Sequence, residues 1–112
     1  MWVDPSNRGA IMAGHLDLGG MGSPDLDALD AVFHQGLVAA AGAKSTQPST
    51  HVKICNGKQD ATYTKLALDS PPVREDVVLA LSDRGYLAEY IRRKDVADDP
   101  AALSSLLSLC AP

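Results

Sequence analysis

The dipeptide Asn56-Gly57 divides the run HVKICNGKQDATYTKLAL into two stretches rich in Val, Ile, Thr and Tyr. Asn-Gly is the strongest short-range hairpin signal, because both residues accept the positive φ that a tight reversal between twisted strands requires. The pair therefore commits this part of the chain to a sheet. It leaves the register open, since the reversal can use two residues or five.

A second sheet component precedes it. GAIMAGHLDLGG alternates with period two, with Ala10, Met12, Gly14, Leu16 and Leu18 on one face and Ile11, Ala13, His15 and Asp17 on the other. Gly19, Gly20 and Gly22 end this strand. SPDLDALDAVFHQGLVAAAG reads as a helix, with Ser23 as N-cap, Pro24 at the first helical position and Gly42 closing it. Its apolar stripe is Leu26, Leu29, Val32, Phe33, Leu37 and Ala40, and Asp27, Asp30 and His34 form the polar one. After the loop AKSTQPST and the hairpin, Ser70-Pro71-Pro72 opens a predicted helix with Val73, Val77, Ala80 and Leu81 on one face. Gly85 breaks it, YLAEYIRRK continues as a second short helix, and Asp99-Pro100 starts a last one carrying Leu103, Leu106, Leu107 and Cys110. The expected order is β-α-β-β-α-α-α: a single α+β domain over residues 1–112. Its small mixed sheet, one N-terminal strand plus a hairpin, is packed by about four helices.

Composition removes several functions. Aromatic residues are 4% of the 112 while hydrophobic residues are 46%, so the core is aliphatic and few flat faces exist on which bases could stack. A net charge of −4 lacks the basic excess that drives phosphate-backbone binding. Cys55 and Cys110 lie far apart with no CxxC. One disulfide is compatible with that spacing, but two free thiols in a reducing compartment is the stronger expectation. The start MWVDPSNRGA has no apolar h-region, and the run GLVAAAGA is too short to span a bilayer. A cytoplasmic protein without a membrane partner is expected.

The segment LDLGGMGS, Leu16 to Ser23, resembles the first motif of nucleotide-dependent methyltransferases, a strand ending in an acid and a glycine-rich turn. That resemblance implies a cofactor at the turn. Against it, Pro24 removes an N–H from the turn, Asp25 and Asp27 repel an anion, and a long helix and loop separate Gly22 from the next strand. A turn followed by a capped helix accounts for the same residues, and no cofactor is expected. His15 and Asp17 share a strand face, and His51 completes a metal or acid–base cluster if the hairpin lies beside that strand. A half-exposed polar sheet face is the plainer account. Asp30 and His34, one helical turn apart, suit a base with its orienting acid, or simply a solvated helix face. Neither GxSxG nor HExxH is present.

The pair of predicted helices around Gly85 approximates a helix-turn-helix over residues 72–94, with Arg84, Arg92, Arg93 and Lys94 as candidate nucleic-acid contacts. Residues 71–94 carry five bases against four acids, a thin excess for duplex binding. By subtraction the chain reads as a small, acidic, non-enzymatic protein-binding regulator, adaptor or inhibitor, of the kind that phages and plasmids encode. Asp25, Asp27, Asp30 and His34 form its candidate surface for a basic partner. The last helix is expected to close the core, with homodimerisation through it or through the first strand as a second possibility. The two alternatives are the helix-turn-helix DNA-binding regulator and a small metal- or cofactor-dependent enzyme built on His15, Asp17 and the glycine turn.

Overall fold

A computed structural model of the chain describes residues 2–3, 9–16, 25–38, 42, 44–45, 48–69, 72–82 and 84–111. Among these, β1 (Trp2–Val3), β2 (Gly9–Leu16), β3 (Lys44–Ser45), β4 (Thr50–Ile54), β5 (Gln59–Asp69), β6 (Pro72–Leu81) and β7 (Gly85–Arg93) form one sheet. The order is β1-β2-β7-β6-β5-β3, with β4 also paired to β5, and every pairing is antiparallel. Helix α1 (Leu26–Phe33) runs into one π-helical turn, His34–Val38, and α2 (Pro100–Ser108) follows β7.

The Asn-Gly hairpin forms as β4–β5. Its register pairs Ile54 with Gln59, so the reversal takes four residues, with positive φ at Cys55, Asn56 and Gly57. Strand β2 also forms, with the expected alternation of faces.

The expected small sheet packed by about four helices is corrected: residues 72–81 and 85–93 are strands, not helices, and pair with each other as β6–β7. The physical reason lies in Val77-Val78-Leu79-Ala80, all buried, which face opposite sides of the sheet in turn. A strand covered on both faces reads as a continuous apolar run, which helical periodicity can imitate. In β7 the buried Tyr86, Ala88, Tyr90 and Arg92 alternate with half-buried Leu87, Glu89 and Ile91, a period of two. The helix-turn-helix over 72–94 is thereby replaced by a hairpin.

Each face of the sheet takes one helix. On the first, Leu29 and Phe33 of α1 pack on Leu66, Val77 and Leu79. On the second, Ala102 and Leu106 of α2 pack over Ala61, Val78, Ala80 and Ala88, whose small side chains let the helix approach the strands closely. The last helix thus closes the core, as its apolar stripe implied. Asp99 caps it, its Oδ1 accepting from Ala101 N at 2.9 Å, with Pro100 at the helix start. Helix α1 is capped by Asp25, whose Oδ1 accepts from Ala28 N at 2.7 Å, not by Ser23. Ser23, Pro24, Asp17 and the glycine turn 19–22 lie outside the described residues.

The expectation of two free thiols is corrected too: Cys55 and Cys110 form a disulfide with a Cα–Cα distance of 4.6 Å. The packing of α2 brings them together. Its C-terminal end lies on the β4–β5 turn, where Cys55 N donates to Leu107 O at 3.1 Å. The Gln59 carboxamide then clasps Ala111, Nε2 donating to its O at 2.8 Å and Oε1 accepting from its N at 2.7 Å.

Candidate functional site

The four residues expected to form an acidic partner surface divide into two groups. Asp25 and Asp27 stay exposed at the start of α1, which lies beside β4. With Leu26, His51 and Asp60 they line a recess of about 340 Å³. His51 Nε2 lies 2.6 Å from Asp27 Oδ1 with both side chains largely exposed, and Lys53 Nζ donates to Asp60 Oδ1. The hydrogen bond and charge of Asp27 hold the His51 pKa above its usual value. Asp60 is held below the usual carboxylate range by the hydrogen bond and charge of Lys53. Three carboxylates therefore converge around one apolar side chain, with an imidazole and one ammonium as the local counter-charges.

Asp30 and His34 turn the other way, into the seam between α1 and the sheet. Asp30 Oδ1 accepts from Ser49 Oγ and from Thr62 Oγ1, each at 3.1 Å, and lies 3.5 Å from His34 Nε2. His34 Nε2 is 3.0 Å from Ser49 Oγ, and Ser49 Oγ is 2.5 Å from Thr64 Oγ1. Asp30 and Ser49 therefore both face Nε2 of the imidazole. A serine nucleophile paired with this imidazole needs its acid on the other ring nitrogen, Nδ1. The cluster fastens α1 to β5 and is not arranged as a catalytic triad. Thr62 and Thr64 are each 2% exposed, and only alternation along β5 hinted that they face α1.

The candidate nucleic-acid contacts do not share a surface. Arg84 is exposed in the β6–β7 reversal, whereas Arg93 and Lys94 lie at the other end of β7, roughly 30 Å away at the rise of a strand. Arg93 Nε lies 3.5 Å from Asp95 and Lys94 Nζ 2.5 Å from Asp69. Arg92 is buried. The hairpin does not lie beside β2, so His15 and His51 stay apart, with β7, β6 and β5 between β2 and β4. His15 instead sits edge-on to Tyr86, ring centroids 6.4 Å apart. Among the described residues no group of three or more His, Cys, Asp or Glu is placed to hold a metal ion.

Sequence reasoning missed two charged clusters. On the α2 face, Arg92 Nη1 donates to Asp76 Oδ2 at 2.7 Å and Nη2 to Asp98 Oδ1 at 2.5 Å. The Arg92 guanidinium lies 4.7 Å from the Tyr90 ring centre, and the Tyr63 hydroxyl donates to Asp76 Oδ1. Gly9 makes this packing possible, since a Cβ there would meet Tyr90 Cε1 at 2.6 Å. Hydrogen bonds from Arg92 and Lys65 hold Asp98 down to about 2. Burial and the hydrogen bond to Asp76 raise the Tyr63 phenol. Beside this network a cavity of about 130 Å³ opens between Tyr63, Tyr90, Lys65, Asp98 and Leu103.

On the α1 face, Glu89 pairs across the strands with Val77 and Met12, and the neighbouring Glu75 carboxyl hydrogen-bonds to it. Burial, then the Glu75 hydrogen bond and charge, push Glu89 up to about 8 from 4.5. Between those values the folded protein holds a proton that the unfolded chain releases, so stability falls as pH rises through that window. Glu89→Gln is expected to flatten this slope and to melt higher than the parent at about pH 8 and above. Melting temperatures of both proteins across the window check it. A parent whose melting temperature does not fall there contradicts the assignment.

Among the described residues no helix is long and apolar enough to cross a membrane. Compared with protein-family models, curated proteins and solved structures, the chain matches none.

Proposed function

We propose that the chain is a non-enzymatic protein-binding domain, a regulator, adaptor or inhibitor, which takes a basic segment of its partner in the recess at the start of α1. The observation that carries this reading is the convergence of Asp25, Asp27 and Asp60 on Leu26 in one exposed recess. Such a site suits an Arg or Lys side chain, its stem against the leucine and its charge among the carboxylates. The acidic net charge favours the encounter at low salt. Location follows the disulfide rather than the sequence expectation: a Cys55–Cys110 bond joining the last segment to the sheet persists in an oxidising compartment.

The test is a titration with a short arginine-rich peptide, read by amide chemical shifts. Shifts are expected at Asp25, Leu26, Asp27, His51 and Asp60, lost in Asp27→Lys with Asp60→Lys and weakened by salt. Because Asp27 raises the His51 pKa, protonated His51 competes for the recess. Peptide binding is expected to strengthen as pH rises past the ordinary histidine range and that proton leaves, later than it would leave a free imidazole. Shifts scattered over the whole surface, or unchanged in the double variant, would overturn the reading.

A further inference from the structure

The cavity beside Arg92 lies where the start of α2 crosses two tyrosines of the sheet. Tyr63 of β5 and Tyr90 of β7 wall it on one side, Pro100 and Leu103 on the other, and the space between them is about 130 Å³. Its inner end meets Asp76, whose side chain is 5% exposed, and its outer end opens past Lys65, Asp98 and Asp99. Most polar groups at its edges already hold one another. The Tyr63 hydroxyl and Arg92 bind Asp76, while Arg92, Arg74 and Lys65 share Asp98. The space is therefore faced mainly by ring and aliphatic carbon. Asp99 differs. Its Oδ1 caps α2, but it pairs with no base and its Oδ2 accepts no hydrogen bond among the described residues.

We propose that this cavity binds a small neutral phenol, a single aromatic ring whose hydroxyl donates to the Asp99 carboxylate. Size sets the ring. An apolar cavity of about 150 Å³ takes one benzene molecule, so the present space admits one six-membered ring and little more. The two tyrosines give that ring aromatic neighbours at contact distance. Charge sets the neutrality. Asp76, Asp98 and Asp99 are balanced by Lys65, Arg74 and Arg92, so neither a carboxylate nor an ammonium ligand gains a net counter-charge. A neutral O–H needs only an acceptor, and a hydrogen bond to an ionised carboxylate is a strong one. The same bond orients the ligand. With the hydroxyl at the outer end, the opposite edge of the ring points inward, where a substituent has no room. That separates a free phenol from a tyrosine side chain, which is attached to its backbone at that position. The cavity is on the α2 face and the acidic recess on the α1 face, so this site stands independently of the peptide reading.

Titration of the full chain with phenol tests this, read by the methyl shifts of Leu103 and the ring protons of Tyr63 and Tyr90. Saturating shifts are expected there, with a dissociation constant of roughly 1 mM for so small a ligand. Toluene has the same shape without the donor and is expected to bind about tenfold more weakly. Benzoate and benzylamine are expected to bind no better than toluene, and N-acetyltyrosinamide to leave Leu103 unshifted. Two variants locate the site. Leu103→Trp places an indole in the space and is expected to abolish phenol binding while keeping the parent circular dichroism. Asp99→Ser keeps a capping residue at the start of α2, so it is expected to melt near the parent and to bind phenol no better than toluene. It carries the test if Leu103→Trp does not fold. A parent that shows no saturable shifts overturns the proposal, as do shifts that survive in a folded Leu103→Trp protein. Benzoate or benzylamine binding more tightly than phenol overturns the neutral class. N-acetyltyrosinamide binding as tightly as phenol overturns the free phenol in favour of a tyrosine side chain. Parent-like phenol binding by Asp99→Ser removes Asp99 as the acceptor.

Discussion

Cys55→Ser combined with Cys110→Ser is expected to cost about 4 kcal/mol, the loop-closure value for two cysteines 55 residues apart. For a chain of this size that is a fall in melting temperature of roughly 15–25 °C. The bond closes a loop containing β5, β6, β7 and α2, so its loss frees much of the unfolded chain at once. The folded state, in contrast, loses little. Ala102 and Leu106 stay sealed under α2, and the Gln59 clasp on Ala111 still anchors the last residues. The variant is therefore expected to fold to the same sheet and to unfold earlier, with the amides of Leu107–Ala111 exchanging first. Reduction of the parent with a dithiol should reproduce the same melting curve. A variant within a few degrees of the parent, or parent protein whose two thiols react freely before reduction, would remove the disulfide from this account. It would also remove the argument for an oxidising compartment.

How far the sequence reveals the fold depends on which signals were local. Asn56-Gly57 and Asp99-Pro100 act through the backbone within four residues, and both the hairpin and the start of α2 stand where they point. The alternation of β2 is legible because one strand at an edge sees water on part of each face. Strands β6 and β7 were hidden because they are central. Val77 to Ala80 are buried on both faces, so no polar residue marks the alternation, and spacing alone fits a helix equally well. In β7 the alternation is complete, but Arg92 occupies one of its buried positions, where a side chain that reads as a surface cation gives no hint of burial. The site follows the same rule. Asp25 and Asp27 are where the acidic start of a helix places them, on the surface. The inward turn of Asp30 depends on Ser49, Thr62 and Thr64, which come from other parts of the chain and have no sequence signature in common. The disulfide was illegible for a similar reason, because only the docking of α2 on the β4–β5 turn brings Cys110 to Cys55.

The buried Arg92 leads to the other large effect. Asp76→Ala is expected to destabilise the protein by about 3–5 kcal/mol, read from urea denaturation, because it leaves a guanidinium in the core without its inner partner. Register makes the loss severe. Arg74 and Arg92 are directly opposed on β6 and β7, an arrangement that costs energy unless acids intervene. Asp76 serves Arg92 from inside, and Asp98 bridges the two, 2.5 Å from Arg92 Nη2 and 3.4 Å from Arg74 Nη1. Asp98 is about half exposed, so solvent screens its share, and Asp98→Asn is expected to cost about 1 kcal/mol or less. Asp76 is 3% exposed and has no such relief. Replacing both members of the inner pair, Asp76→Leu with Arg92→Met, removes the charge together with its need for a partner and is expected to recover most of the lost stability. The Tyr63 hydroxyl then keeps its place at the cavity edge, where water can accept the hydrogen bond that Asp76 had accepted. An Asp76→Ala protein within about 1 kcal/mol of the parent would mean that Asp98 alone satisfies Arg92, and the inner pair would not be what holds β6 and β7 in register.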